Sequence, residues 1–225
     1  MLILAFDTTA AAVSVALWRD GAVLARVQAV MAQGQAEALM PAITRIMASA
    51  GETYAALDRV AVTAGPGSFT GVRVGLAAAR GLGLAAGKPV IGVLSTEVLA
   101  ASVPRAERSD ANVRVLAAID TKRGDLYVQL FDHALRPVND VRAIAPEALA
   151  AWMEPGPVVV VGDAAAIAVA ALGPRARLSV APALPDAGVL AQLAAERAPV
   201  AGGPLPVYVR PPDAVVPQHG GRLRP

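Results

Sequence analysis

Two dipeptides carry the residue types for phosphate chemistry: Asp7-Thr8 and Asp120-Thr121, each at the end of an apolar run. A carboxylate beside a hydroxyl at a strand end can hold a hydrated metal and a phosphate, with the turn amides adding anion donors. The same two residue types also make an ordinary Asx turn. A third candidate is the loop Gly65-Pro66-Gly67-Ser68-Phe69-Thr70-Gly71, set between an apolar run and a helical pattern. Backbone amides there, together with a helix N-terminus, suit a phosphate. The loop nevertheless fails the known templates. Five residues separate Gly65 from Gly71 and Val72 follows, whereas a Walker loop needs four residues between its glycines and then Lys. No acidic residue falls between Asp58 and Glu97 to hold a ribose, as a dinucleotide fingerprint requires. Pro66 and Thr70 flank Ser68 where a nucleophile elbow has glycines. The alternative is a tight turn that lets the next helix pack close to a sheet.

Past that loop, Gly71, Gly75, Ala79 and Gly83 recur every four residues and strip one helix face of side chains. Each helical glycine costs about 1 kcal/mol relative to alanine, so the stripe calls for a compensating close contact. That contact is either a neighbour within the same domain or a partner molecule. Histidine chemistry is weak: His133 and His219 are the only two, and no pair shares a helix face as a zinc site would need. With no cysteine, disulfides, thiolate catalysis and iron–sulfur clusters are excluded.

These residues sit in a chain of 225, of which 55% are apolar and 17% charged, against about 25% charged in an average soluble domain. Such a chain has a large core to bury and few charges to solvate an isolated monomer. The sequence pI of 9.4 rests on an excess of two cations, and aromatics at 4% offer no stacking platform for single strands, so direct RNA binding is not indicated. Val60 to Val72, the longest stretch without an ionisable side chain, is short of the roughly 18 residues that cross a bilayer. The N-terminus lacks a basic start and Asp7 interrupts its apolar run, so the expected location is the cytoplasm, with no membrane association.

The elements that must position these groups are legible from periodicity. Leu2 to Phe6, Val13 to Trp18 and Ala22 to Val30 read as a three-stranded meander, with Asp20-Gly21 as a hairpin turn. Gln35 to Ala50 is an amphipathic helix containing Pro41, and Gly51 ends it. Arg59 to Ala64 is a strand, and Ser68 caps a helix to about Ala86, closed by Gly87. Val90 to Val93 is a strand, followed by a short helix capped by Ser95 or Thr96. The second half repeats this order: strands at Leu116, Leu126 and Val138 to Ile144, and a helix opened by Pro146. The strand Val158 to Val161, a helix from Asp163 to Leu172, a strand near Val180 and a helix from Pro185 to about Arg197 complete it. A shift of 113 positions without a gap lays Asp7-Thr8 on Asp120-Thr121 and Val13 on Leu126. The expectation is an internal duplication in α/β architecture, with lobes at 1–104 and 105–210, a loose tail at 211–225, and a last helix able to pack back on the first lobe.

The opening Ile3-Leu4-Ala5-Phe6-Asp7-Thr8, the loop from Gly65 through Val72-Arg73-Val74-Gly75 and the closing Tyr208-Val209-Arg210 together resemble the TsaB, or YeaZ, family. That resemblance implies an actin-like, two-lobed ATPase-superfamily (ASKHA) fold. It also implies a non-catalytic subunit pairing with a TsaD-like transferase, joined by a TsaE-like ATPase, in threonylcarbamoylation of the adenosine next to the anticodon of ANN-decoding tRNAs. ATP and metal are then expected on the partners, with no cofactor on this chain and tRNA contacted through the complex. Asp7, Thr8, Asp120 and Thr121 become degenerate phosphate turns. An independent small-molecule kinase or ATPase of the same fold is the alternative, and a metallopeptidase would require ligands this chain lacks.

The expected partner surface is the pair of helices carrying Leu39, Met40, Ile43 and Met47 on one and Gly71, Gly75, Ala79 and Gly83 on the other. The same surface suits a two-fold homodimer when the partner is absent.

Overall fold

The computed structural model describes residues 1–210; the tail expected at 211–225 lies outside the described residues. Its first half runs β1 (Leu2–Asp7), β2 (Ala12–Arg19), β3 (Ala22–Val30), α1 (Gln35–Ser49), β4 (Arg59–Thr63), α2 (Phe69–Ala86), β5 (Val90–Val93) and α3 (Ser95–Ala101). The second half runs β6 (Arg114–Asp120), β7 (Leu126–Phe131), β8 (Arg142–Ile144), α4 (Leu149–Trp152), β9 (Val158–Val161), α5 (Ala165–Leu172), β10 (Ala176–Leu178) and α6 (Ala187–Ala195). Each half builds one five-stranded sheet, ordered β3-β2-β1-β4-β5 and β8-β7-β6-β9-β10. The first three strands of each sheet are antiparallel and the rest parallel. The duplication is therefore present in the architecture.

Local chemistry accounts for the joints. Asp20 and Gly21 both take positive φ, 47° and 96°, which gives the β2–β3 hairpin a turn whose twist matches its strands. The Ser68 side chain accepts the Gly71 N–H at 3.3 Å and starts α2, and Gly87 at φ 65° stops it.

The layers are set by strand alternation. Leu4, Phe6, Val13, Val15 and Leu17 point to one face of the first sheet and meet Leu39, Ile43 and Met47 of α1 and Val72 and Leu76 of α2. The opposite face, with Ile3, Ala5, Ala16 and Trp18, is covered by Leu190, Ala191 and Ala194 of α6. In the second sheet Leu116, Ala118, Leu126 and Val128 meet Leu149 of α4 and Ala165 and Ala168 of α5. Its inner face, with Val115, Ala117, Ile119 and Phe131, packs on Leu99 and Ala100 of α3. The third helix of each half thus covers the other half's sheet.

Polar contacts fasten the exchange. Thr96 Oγ1 donates to Gln129 Oε1 at 2.5 Å, Arg197 pairs with Glu97 at 2.7 Å, and Arg59 Nη1 donates to the Ala194 carbonyl at 2.8 Å. The last of these caps the C-terminus of α6 with a cation.

Several expectations need correction. The N-cap of α3 is Leu94, whose backbone N–H is met by Glu97, rather than Ser95 or Thr96. The strand expected over Val138 to Ile144 is only Arg142–Ile144, because Asn139 turns in to bond Leu130 and Gln129. The strand placed near Val180 is Ala176–Leu178, and Pro146 opens a 3-10 turn ahead of the four-residue α4. The ungapped 113-residue shift also fails. Asp7 pairs with Ser14 across the first hairpin, but Asp120 pairs with Leu126, so the second turn is one residue shorter. Leu4 faces α1 and α2 while Ala117, its partner under that shift, faces α3. A one-residue slip sends a side chain to the opposite face of its sheet.

Candidate functional site

The end of β1 is where the first candidate carboxylate sits. Asp7 lies on the inner face, 1% exposed, and its Oδ1 accepts from Thr63 Oγ1 at 2.5 Å, Thr9 Oγ1 at 2.6 Å and the Thr9 amide at 3.2 Å. Ser95 Oγ stands 3.0 Å from Thr9 Oγ1 and joins the N-terminus of α3 to the cluster. Oδ2 has no hydrogen-bond partner among the described residues. Burial pushes the Asp7 carboxyl above the ordinary carboxylate range, against the opposing hydrogen bonds from Thr63 and Thr9. Thr8 is engaged as well, its hydroxyl donating 2.7 Å to the Gly71 carbonyl in the first turn of α2. Asp7 and Thr8 therefore act as a clasp joining β1, β4, α2 and α3.

Asp120 and Thr121 do not mirror them. Asp120 pairs with Lys122 at 2.7 Å, and that contact holds its carboxyl below the usual range. Thr121 turns back to the Asp125 carbonyl at 2.8 Å. Asp7 shares its face with Ser14, which reaches α6, while Asp120 shares its face with Leu126, which faces α4 and α5. The structure brings the four phosphate-turn candidates together in neither geometry nor role. Asp163 is the acidic group that does reach the cleft. It accepts the Asp120 amide at 2.9 Å, and burial raises its carboxyl. With Thr9 it lines a small pocket whose other walls include Leu99, Ile119, Leu184 and Pro185. Among the described residues no group of three or more His, Cys, Asp or Glu could hold a metal ion.

The glycine loop resolves in favour of packing. A Cβ at Gly67 or Gly71 would run into the backbone of Thr9 or Thr8, so α2 lies directly on the end of β1. The Ser68 amide donates to the Thr9 carbonyl at 2.8 Å, and the Gly65 carbonyl accepts the Ser95 amide at 2.8 Å. Further along the stripe, a Gly75 Cβ would stand 2.8 Å from Thr8 Oγ1, Ala79 is fully buried, and Gly83 is closed by Val90 and Lys88. The expectation that Gly71, Gly75, Ala79 and Gly83 face a partner is therefore corrected: they face the chain's own first sheet. Leu39, Ile43 and Met47 are buried in the same core, and of the eight residues expected on the partner surface only Met40, 42% exposed, reaches solvent. The outward faces of α1 and α2 carry instead Ala36, Met40, Ala77, Gly81, Ala85 and Leu84, together with the charged Glu37, Arg45, Arg73 and Arg80.

Thr9, Thr63, Ser95 and Asp163 are not marked as site residues by the sequence, because isolated hydroxyls and a lone carboxylate near strand ends have no spacing signature. A second missed group is Arg73 stacked on Phe69, whose ring packs in turn against Tyr208, a residue far along the chain.

Comparison with known proteins decides the family. The model for "TsaD: tRNA N6-adenosine threonylcarbamoyltransferase" matches residues 27–171, more than half of the chain. The chain is 40% identical over 127 residues to the tRNA threonylcarbamoyladenosine biosynthesis protein TsaB of Escherichia coli, covering 56% of this chain and 53% of that protein. A Pseudomonas aeruginosa structure described as an uncharacterized protein with similarity to peptidase YEAZ superposes with a TM-score of 0.78 at 30% identity, over 93% of this chain and 99% of that one. The chain belongs to the TsaB (YeaZ) family. It spans about half the length of the Escherichia coli TsaB it matches. With its two mixed five-stranded sheets the chain has the ASKHA fold. An activator of 2-hydroxyisocaproyl-CoA dehydratase from Clostridium difficile, with bound ADPNP, shares it at a TM-score of 0.50 and 12% identity, over 86% of this chain and 94% of that one. Among the described residues of this TsaB-family chain, no helix is long and apolar enough to cross a membrane.

Proposed function

We propose that this chain is a non-catalytic platform subunit that pairs with a TsaD-like transferase in threonylcarbamoylation of the adenosine next to the anticodon of ANN-decoding tRNAs. The observation that carries the reading is the cleft between the lobes. Leu99, Ile119, Leu184 and Pro185 wall its pocket, and the hydroxyls and Asp7 Oδ1 around it are spent on fastening β1, β4 and α3 to one another. An ATPase of this fold needs that space for a nucleotide and those groups for its phosphates. ATP and metal accordingly belong to the partner subunits, including a TsaE-like ATPase, and tRNA is met through the assembly in the cytoplasm.

The partner surface in this proposal is the outward side of α1 and α2, where α1 exposes Met40 and α2 exposes Leu84, at 86%, beside Ala77, Gly81 and Ala85. Small side chains along α2 leave an apolar stretch suited to helix packing, edged by the exposed Arg73 and Arg80. The same face can close a two-fold homodimer when the partner is missing. Reconstitution tests the proposal: tRNA modification by the TsaD-like protein depends on this chain, which alone modifies nothing.

A further inference from the structure

We infer that Arg73 is an anchor for a carboxylate on the protein partner; the inference rests on the pairing proposed above. The chain has eight aromatic residues, and two of them, Phe69 at 52% exposure and Tyr208 at 46%, cluster with this one guanidinium. The Arg73 guanidinium carbon lies 3.6 Å from the Phe69 ring centre and 5.7 Å from that of Tyr208, and the two rings are 5.5 Å apart, tilted by 36°. Arg73 Nε donates to the Tyr208 hydroxyl at 2.9 Å. Stacking and that hydrogen bond fix the guanidinium plane, yet its two terminal nitrogens have no partner among the described residues. Arginine entropy has thus been lost in advance, and the free edge of the fork matches a planar oxyanion bidentately.

Surroundings select the source of the oxyanion. RNA binding draws on several cations tracking successive phosphates. Two arginines at the segment 204–210 are already engaged: Arg80 Nη2 of α2 donates to the Pro204 carbonyl at 2.7 Å, and Arg210 pairs with Asp125. Beside Arg73 the rings of Phe69 and Tyr208 are exposed, and the segment leading to Tyr208 exposes Leu205 at 72% and Val207 at 36%. A guanidinium with no carboxylate partner among the described residues, set beside aromatic and aliphatic surface, is the composition of a protein–protein hot spot, and its counterpart is an Asp or Glu inside an apolar patch.

The test uses the full chain and the TsaD-like protein of the same organism in a binding titration, with circular dichroism confirming each fold. Arg73→Gln is expected to weaken pairing about ten- to a hundred-fold. Arg73→Lys keeps the charge without the fork and recovers only part of the loss, and Tyr208→Phe, which removes the hydroxyl that orients Nε, costs less than Arg73→Gln. Arg73→Glu combined with a reversed acidic residue on the partner restores affinity, which a merely structural role for Arg73 would not produce. Wild-type affinity in a folded Arg73→Gln overturns the inference and leaves the pairing intact. An unchanged protein affinity with weakened tRNA binding by the assembled pair also overturns it, in favour of a phosphate. Failure of the wild-type chain to pair at all overturns the platform reading itself.

Discussion

Gly71 and Gly81 lie on the same helix, and the same substitution at each should act in opposite directions. A Cβ at Gly71 is directed into the Thr8 carbonyl group and lies 3.3 Å from the Thr9 Cα, all backbone at the end of β1. Backbone cannot rotate aside, so α2 must lift from the sheet and strain the 2.7 Å bond from Thr8 Oγ1 to the Gly71 carbonyl. Overpacking of this kind costs about 3 kcal/mol at the upper end of its usual range, and removing a helical glycine returns about 1 kcal/mol, leaving Gly71→Ala destabilised by about 2 kcal/mol. At Gly81 an added Cβ meets nothing within 4 Å, so Gly81→Ala retains the helical gain and stabilises by about 0.5 to 1 kcal/mol. For a domain of this size that separation corresponds to a melting temperature lowered by about 4 to 8 °C at Gly71 and raised by about 1 to 4 °C at Gly81. Thermal melts and urea titrations followed by circular dichroism measure both. Equal effects of the two substitutions, or a stabilised Gly71→Ala, would refute the placement of α2 on β1.

Burial raises the Asp7 carboxyl above its ordinary 3.8, so its favourable contribution to folding is complete below that value and is lost as pH rises through the raised one. Asp7→Asn removes this loss, and its stability relative to wild type should grow as the pH rises above about 4 in urea titrations; a difference flat with pH contradicts the buried clasp. Thr96→Val keeps the shape of the side chain but deprives the buried Gln129 Oε1 of its 2.5 Å donor, which should cost about 1 to 3 kcal/mol and speed amide exchange in α3. No change in either quantity would mean that α3 is not fastened to the second sheet through this pair.

The order of elements was legible because each half alternates its periodicity at recognisable breaks: Asp20-Gly21, Gly51, Ser68 and Gly87 all sit where the chain turns. Boundaries drifted where tertiary contacts overrode local pattern, as when Asn139 bonds β7 and shortens β8. The exchange of α3 and α6 between sheets has no signature in periodicity, since an apolar helix face does not say which sheet it meets. The glycine stripe was read correctly as demanding a close neighbour, but spacing cannot tell the chain's own Thr8 and Val62 from a partner's helix. The ungapped match of Asp7-Thr8 to Asp120-Thr121 misled because residue identity is blind to the face a strand residue takes, whereas cross-strand register is not.

The central claim is that the chain contributes a surface and no chemistry. It is tested most directly by reconstituting tRNA threonylcarbamoyladenosine formation from purified components, with ATP, a threonylcarbamoyl donor, the TsaD-like protein, the TsaE-like ATPase and this chain, omitting one protein at a time. The account predicts modified tRNA only when this chain and the TsaD-like protein are both present, and neither modification nor ATP turnover when this chain is alone. Modification that proceeds at the full rate without it, or ATP turnover by the isolated chain, would contradict the account.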